Sequence, residues 1–130
     1  MNTPPDLKYT KNHEWARIEG NVATCGITDF AQEQLGDIVF VELPEVGVAV
    51  TRNGKLGVVE SVKAASDIYS PLSGKIVGRN TALEGAPETL NKDAYGEGWI
   101  AKVEIADPAE AGDLMEAAAY AKYVEEESHE

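Results

Sequence analysis

Gly54-Lys-Leu-Gly-Val-Val-Glu-Ser-Val-Lys-Ala-Ala-Ser-Asp-Ile-Tyr-Ser-Pro-Leu-Ser-Gly74 is the stretch whose reading decides the fold. Two β-prone segments, Leu56 to Ser61 and Asp67 to Leu72, flank a connection around Lys63 that lacks the Gly, Asn or Pro of most tight turns. Drawn as a hairpin with Lys63 and Ala64 at the tip, the stretch sets Val62 against Ala65, Ser61 against Ser66, Glu60 against Asp67 and Val59 against Ile68. Val59 and Ile68 then make an apolar cross-strand pair. Glu60 and Asp67 place two carboxylates opposite each other, which costs a sheet up to about 1 kcal/mol. The pattern predicts a lysine displayed at an apex with two acids below it. An exposed lysine in a turn is ordinarily a solvated surface residue, so the weight falls on the whole string rather than on Lys63 alone.

Upstream, Glu14 to Glu19 and Val22 to Ile27 read as strands joined through Gly20-Asn21, a pair suited to a two-residue hairpin. Thr28 to Gly36 reads as one or two helical turns: Thr28 or Asp29 can cap, Phe30 and Leu35 can share a buried side, and Gly36 can terminate. Asp37 to Leu43 is β-rich and ends at Pro44. Gly47 to Thr51 makes a short strand before a turn at Arg52-Asn53-Gly54. Downstream come Ile68 to Pro71, a turn at Ser73-Gly74, and a strand over Lys75 to Asn80.

Thr81 to Ala94 has the composition of a loop. Tyr95 to Ile105 returns to strand, with Trp99, Ala101, Val103 and Ile105 alternating inward. Asp107-Pro-Ala-Glu110 carries a helix-start signature, Asp107 as cap and Glu110 answering it. Helix is expected from there to about Glu125, with a break near Met115 and Glu116 and an apolar stripe of Leu114, Met115, Ala118, Tyr120 and Val124 against the sheet. Glu125 to Glu130 reads as a frayed, solvated tail. Short strands with turns every few residues indicate an all-β barrel or sandwich with small terminal helices. The strand runs on the two sides of Lys63 are similar in number and length, as expected if the tip joins two related halves.

At 130 residues the chain is expected to form a single domain, with its core over about 8–105, a helical segment over about 107–125 and an acidic tail at 126–130. Eleven basic against 23 acidic residues leave a net charge of -12, which repels phosphate backbones and anionic lipid and argues against nucleic-acid and membrane partners. The single cysteine, Cys25, lies in a strand-like run and reads as a small buried apolar side chain in a reducing compartment. Met1-Asn-Thr-Pro-Pro-Asp6 resembles neither a secretory signal nor a transit peptide, so a cytoplasmic chain complete from its initiator is expected. His13 and His129 are the only histidines, one before a strand and one in the tail, and neither has a plausible metal partner.

Glu60-Ser-Val-Lys63-Ala, then Ser66-Asp67-Ile and Ser70-Pro71-Leu-Ser-Gly74, resembles the lipoyl-attachment hairpin of the glycine cleavage system H protein family. Lys8-Tyr-Thr-Lys-Asn-His-Glu-Trp15, Gly26-Ile-Thr-Asp29, Val39-Phe-Val-Glu-Leu-Pro44, Gly98-Trp99 and Tyr120-Ala-Lys-Tyr-Val-Glu-Glu126 extend the likeness over nearly the whole chain. The resemblance implies a mainly β fold, a lipoyl/biotinyl-like barrel-sandwich hybrid of two small antiparallel sheets, with lipoate joined by an amide to Lys63. It implies a monomeric shuttle, not an enzyme: the arm accepts an aminomethyl group from glycine decarboxylase, presents it to the aminomethyltransferase, and is reoxidised by dihydrolipoyl dehydrogenase. It further implies recognition of Glu60, Val62 and Ala64 by a lipoate-attaching enzyme, and a cleft sheltering the loaded arm near Glu14, Asp67 and Asn12, where negative charge attracts a protonated amine. Plant members carry Ser at the place of Asn12 and His at the place of Gln34. A solvated residue at a strand start is the competing reading of Glu14.

Other readings are weaker. A Schiff-base or general-base lysine wants burial or cationic neighbours, and Lys63 is expected at an exposed tip above acids. Biotin carriers typically flank the lysine with Met, whereas Val62 and Ala64 stand here. The lipoyl domains of 2-oxoacid dehydrogenases usually have Asp directly before the lysine. An H-like protein that relays lipoyl groups without serving glycine cleavage remains compatible with the residues.

Overall fold

The computed structural model describes residues 3–128; Met1, the expected initiator, and the tail residues His129 and Glu130 lie outside the described residues. Ten strands alternate with four helices: β1 (Lys8–Tyr9), β2 (Glu14–Glu19), β3 (Val22–Ile27), α1 (Asp29–Leu35), β4 (Ile38–Glu42), β5 (Ala49–Val50), β6 (Lys55–Ser61), β7 (Ala65–Tyr69), β8 (Gly74–Arg79), α2 (Ala82–Gly85), α3 (Thr89–Lys92), β9 (Ala101–Ile105), β10 (Met115–Glu116) and α4 (Ala117–Ser128). All pairings are antiparallel. They build a seven-stranded sheet, ordered β10-β1-β2-β3-β9-β8-β5, and a three-stranded sheet, ordered β4-β6-β7. The expected two-sheet, mainly β architecture is present. Strands β1 to β6 precede Lys63 and β7 to β10 follow it, so the halves are unequal.

Period-two patterning explains the core between the sheets. Ala23, Cys25 and Ile27 from β3 and Ala101 and Val103 from β9 meet Ile38, Val41, Leu56, Val59 and Ile68 from the smaller sheet. A second cluster of Leu7, Tyr9, Trp15, Tyr120 and Val124 joins α4 to the large sheet, with the Tyr9 and Tyr120 rings stacked at 4.6 Å. Thr28 caps α1 as its sequence suggests, accepting from the Ala31 N–H at 3.2 Å. Phe30 and Leu35 do not share a buried side: Phe30 packs on the aromatic cluster, Leu35 on the main core.

Several expectations are corrected. The segment 81–94 is not a plain loop but carries α2 and α3, whose Leu83 and Leu90 are buried plugs in the main core. The last long strand begins only at Ala101; Trp99 precedes it and packs on the aromatic cluster. Asp107 caps as expected, but Glu110 turns away to accept from the Ser73 N–H and hydroxyl at 2.8 and 2.9 Å. The expected C-terminal helix is a 3-10 turn over Pro108–Asp113, then β10, then α4. Met115 and Glu116 break it because they pair with Tyr9 and Lys8. Within the stripe Leu114 packs on the main core and Ala118 is exposed, with Ala117 packed in its stead. Glu125 to Ser128 are helical rather than frayed.

Gly57 matters most for the hairpin that carries Lys63. A Cβ there would run into the carbonyl oxygen of Glu42 on β4, so only glycine lets β4 and β6 approach at this rung. Gly57→Ala is expected to cost about 1–3 kcal/mol and to lower the thermal midpoint by several degrees; an unchanged melting curve would show that the two strands separate without penalty.

Candidate functional site

The tip is one residue away from its expected position. Glu60 faces Ala65, Val59 faces Ser66 and Val58 faces Asp67, so Val62 and Lys63 are the central residues of a turn running from Ser61 to Ala64. Val59 and Ile68 are both buried but not directly opposed, and Glu60 and Asp67 are not a cross-strand pair. The repulsion expected from a face-to-face acidic pair is thereby relieved.

The turn takes its chemistry from a side chain, the Ser61 hydroxyl. Ser61 N–H donates to the Ala64 carbonyl at 2.8 Å, and the Ser61 hydroxyl oxygen accepts from the Lys63 and Ala64 N–H groups at 3.2 and 3.1 Å. A serine hydroxyl that satisfies backbone donors replaces the Gly, Asn or Pro of other tight turns. The turn is also held from outside: the Val62 N–H donates to the Asp37 carbonyl at 3.0 Å.

Gly36, which ends α1 with φ of 81°, lies under the lysine stem; a Cβ on it would stand 3.2 Å from Lys63 Cε. Asn91 of α3 fixes this platform. Its amide nitrogen donates to the Gly36 carbonyl and to Gln32 Oε1 at 2.8 and 2.9 Å, and its oxygen accepts from the Ile38 N–H at 2.9 Å. Nothing in the sequence marked Asn91, because 81–94 looked like surface loop. Lys63, Val62, Ala64 and Glu60 are all exposed.

Glu14 is not a solvated residue at a strand start. It is 2% exposed and accepts from the Thr10 hydroxyl at 2.7 Å and from the Tyr69 N–H, at the far end of β7 from the tip, at 3.2 Å. Burial raises its carboxyl to about 7 from the ordinary value of 4.5, against the lowering effect of those two hydrogen bonds. Thr10 is the hub, since its hydroxyl also receives the Glu14 and Asn12 N–H groups at 3.1 and 3.2 Å. Thr10 and Asn12 line a groove of about 360 Å³ with Tyr9, Asn53, Pro71, Leu114 and Met115 and with the charged Lys11, Arg52 and Asp113. Glu14 stands one hydrogen bond behind that groove. Asp67 does not line it; exposed on the small sheet, it lies 3.9 Å from Lys55 Nζ. The three acids and amides expected to share a cleft are therefore spread over two places, with Asn12 and Glu14 together and Asp67 apart.

Residues 7–127 match the family model described as Glycine cleavage H-protein. The chain is similar to the glycine cleavage system H protein of Symbiobacterium thermophilum, 59% identical over 125 residues that cover 96% of this chain and 98% of that one. It is 53% identical over 127 residues to the protein of that name from Anaeromyxobacter sp. strain K, covering 98% and 99%. The crystal structure of a glycine cleavage system H protein from Mycobacterium marinum is similar with a TM-score of 0.84 and 43% identity, over 92% of this chain and 96% of that one.

The buried Glu14 generates a pH prediction. Unfolded, its carboxyl ionises near 4.5, while folded it holds its proton to about 7. The folded state thus binds more protons between those values, and stability falls as pH rises through that window. The full difference corresponds to about 3 kcal/mol. Glu14→Gln is expected to match the wild type below about pH 4.5 and to exceed its thermal midpoint above about pH 7; parallel midpoint curves across the window would remove the effect.

Proposed function

The chain belongs to the glycine cleavage H-protein family, and with it serves glycine cleavage as a lipoyl carrier; from that premise we propose that Lys63 is the attachment point of the lipoate. The observation that supports this is one exposed amine on a turn closed by Ser61 and tied to Asp37. An arm needs a base that stays put while its free end travels, and the base here is fixed by backbone hydrogen bonds rather than by side-chain packing. The residues suit the group: the Lys63 stem lies over Gly36, a glycine required by its φ of 81°, and its amine is left exposed.

Lipoate joined by an amide to Nζ supplies a dithiolane that takes up an aminomethyl group and alternates between disulfide and dithiol. The chain's own sulfur cannot stand in for it. Cys25 is buried, and burial pushes its thiol up to about 12, so it stays protonated and unreactive. We therefore assign the chain a carrier role, with reactivity residing in the attached group and in the enzymes it visits. Those are a lipoate-attaching enzyme, glycine decarboxylase, an aminomethyltransferase and dihydrolipoyl dehydrogenase. Exposed Glu60, one rung below the turn, serves the attaching enzyme as a polar mark with Val62 and Ala64. Asn12 and the groove it lines, backed by Glu14, offer a resting place between transfers; ionised Glu14 favours a cation there.

Intact-mass measurement after incubation with lipoate, ATP and a purified lipoate ligase tests the assignment. Wild type is expected to gain one lipoyl group and to support glycine-dependent carbon dioxide exchange with glycine decarboxylase. Lys63→Ala is expected to gain nothing and support no exchange, with stability within about 0.5 kcal/mol, as for exposed substitutions generally. A lipoyl group found on Lys63→Ala would overturn the assignment. Glu60→Ala should slow attachment several-fold with no change in melting; an unchanged rate would strip Glu60 of its role.

A further inference from the structure

The outward side of the small sheet is apolar next to the Lys63 turn, where a solvated sheet is ordinarily polar. The cause is a register slip in β4: Ile38 faces Ser61 and Phe40 faces Glu60, leaving Val39 as the extra residue. A bulge re-aims neighbouring side chains, and here Val39 and Phe40 are 54% and 51% exposed while Ile38 and Val41 on either side stay buried. Val62, tied to Asp37 immediately before this strand, is 69% exposed. Two large apolar side chains on β4, the edge of the small sheet among the described residues, thus lie beside a third, Val62, in the turn that carries the amine. Apolar residues exposed singly are ordinary; a group of them at a working apex marks a contact surface.

The surround is acidic. Asp37, Glu42, Glu60 and Asp67 are all exposed on or beside this sheet; Lys55 Nζ stands 3.9 Å from Asp67, and Lys63 is the amine to be acylated. A partner complementary to this face has an apolar socket ringed by arginine and lysine.

Resting on the reading of Lys63 as the attachment site, we propose that Val39, Phe40 and Val62 form the docking surface for the enzyme that acylates Lys63. In that step the neutral amine attacks the carbonyl carbon of lipoate activated as a mixed anhydride with a nucleotide phosphate. The amide C–N bond forms, the C–O bond to the phosphate breaks, and the amine proton leaves to a base. The reacting carbonyl must therefore reach an amine held on a four-carbon stem, which brings the enzyme surface down onto Val62 and its neighbours. Enzymes that meet the group later do so at the end of a longer arm and can stay clear of the turn. The acylating enzyme is thus the partner whose chemistry requires this patch.

The test is steady-state acylation of the unmodified protein by a purified ATP-dependent lipoate ligase. Val39→Ser/Phe40→Ser is expected to raise KM for the protein substrate at least about ten-fold with kcat within two-fold. Val62→Ser, in a solvent-exposed turn, should raise KM several-fold, and serves as the decisive variant if the double substitution unfolds. Val77→Ser, 41% exposed on β8, should leave both constants unchanged. Acylation of Val62→Ser and of the folded double variant with wild-type KM would overturn the proposal. So would an equal loss in Val77→Ser, or normal acylation paired with lost exchange at glycine decarboxylase, which would give the patch to another partner. Failure of the attachment reading has a different signature: the wild type itself would then gain no lipoyl group on Lys63, and this inference would fall with it.

Discussion

The working end of the molecule depends on one backbone hydrogen bond, from the Val62 N–H to the Asp37 carbonyl. A hairpin tip normally frays, because its last residues have few neighbours and its strands are joined only to each other. Here the tip is joined to the connection between α1 and β4, and Asn91 holds that connection and both its flanks, through the Gly36 carbonyl, Gln32 of α1 and the Ile38 N–H of β4. The lysine stem therefore starts from a backbone braced on two sides. Three strands alone would be a marginal sheet. The braces work because Ile38, Val59 and Ile68 beneath them are sealed against the larger sheet.

The same logic reaches the other end of the molecule. Tyr120 stacks on Tyr9, and its hydroxyl lies 2.7 Å from the Thr28 hydroxyl and 2.8 Å from His13 Nδ1. Thr28 is also the cap of α1. The C-terminal helix thereby sets the start of α1, and the end of α1 is Gly36, on which the Lys63 stem rests. A path of packed and hydrogen-bonded groups runs from α4 to the amine. Burial of Tyr9 and Tyr120 moves both phenols well above their ordinary range, so both hydroxyls stay neutral.

Strong local signals carried most of the fold. The strands over Glu14–Glu19 and Val22–Ile27 and the cap at Thr28 were legible because a two-residue turn, period-two alternation and a capping side chain all agree. The hairpin register was not, because Val59 and Ile68 stay on the inner face whether the tip is at Lys63-Ala64 or at Val62-Lys63. Only the Ser61 hydroxyl separates those choices. The helices α2 and α3 escaped notice for a related reason: four-residue helices show no periodicity, and Leu83 and Leu90 read as incidental in a polar stretch. The break expected near Met115 and Glu116 is present, but that it is a strand follows only from β1 lying beside it. Lys63 was readable from its own string, while Asn91 acts through partners 53 to 59 residues away in the chain, which no local pattern records.

Local preferences are broken at a few places, beside the Lys63 turn and at the base of its hairpin. Val39 and Phe40 spend exposed apolar surface at a bulge, His13 takes a φ of 67° outside the usual range of a non-glycine residue, and Glu14 is a carboxyl sealed under Thr10. Each carries a local cost in stability. A hydrophobic side chain at position 14 would avoid the burial cost but leave the Tyr69 N–H and the Thr10 hydroxyl without their acceptor, so the carboxyl is the smaller loss once those donors are in place. Glu14 thus stitches the large sheet to the base of the very hairpin that carries Lys63. Glu14 holds the base of that hairpin, while the turn at its other end is held by Ser61 and Asp37.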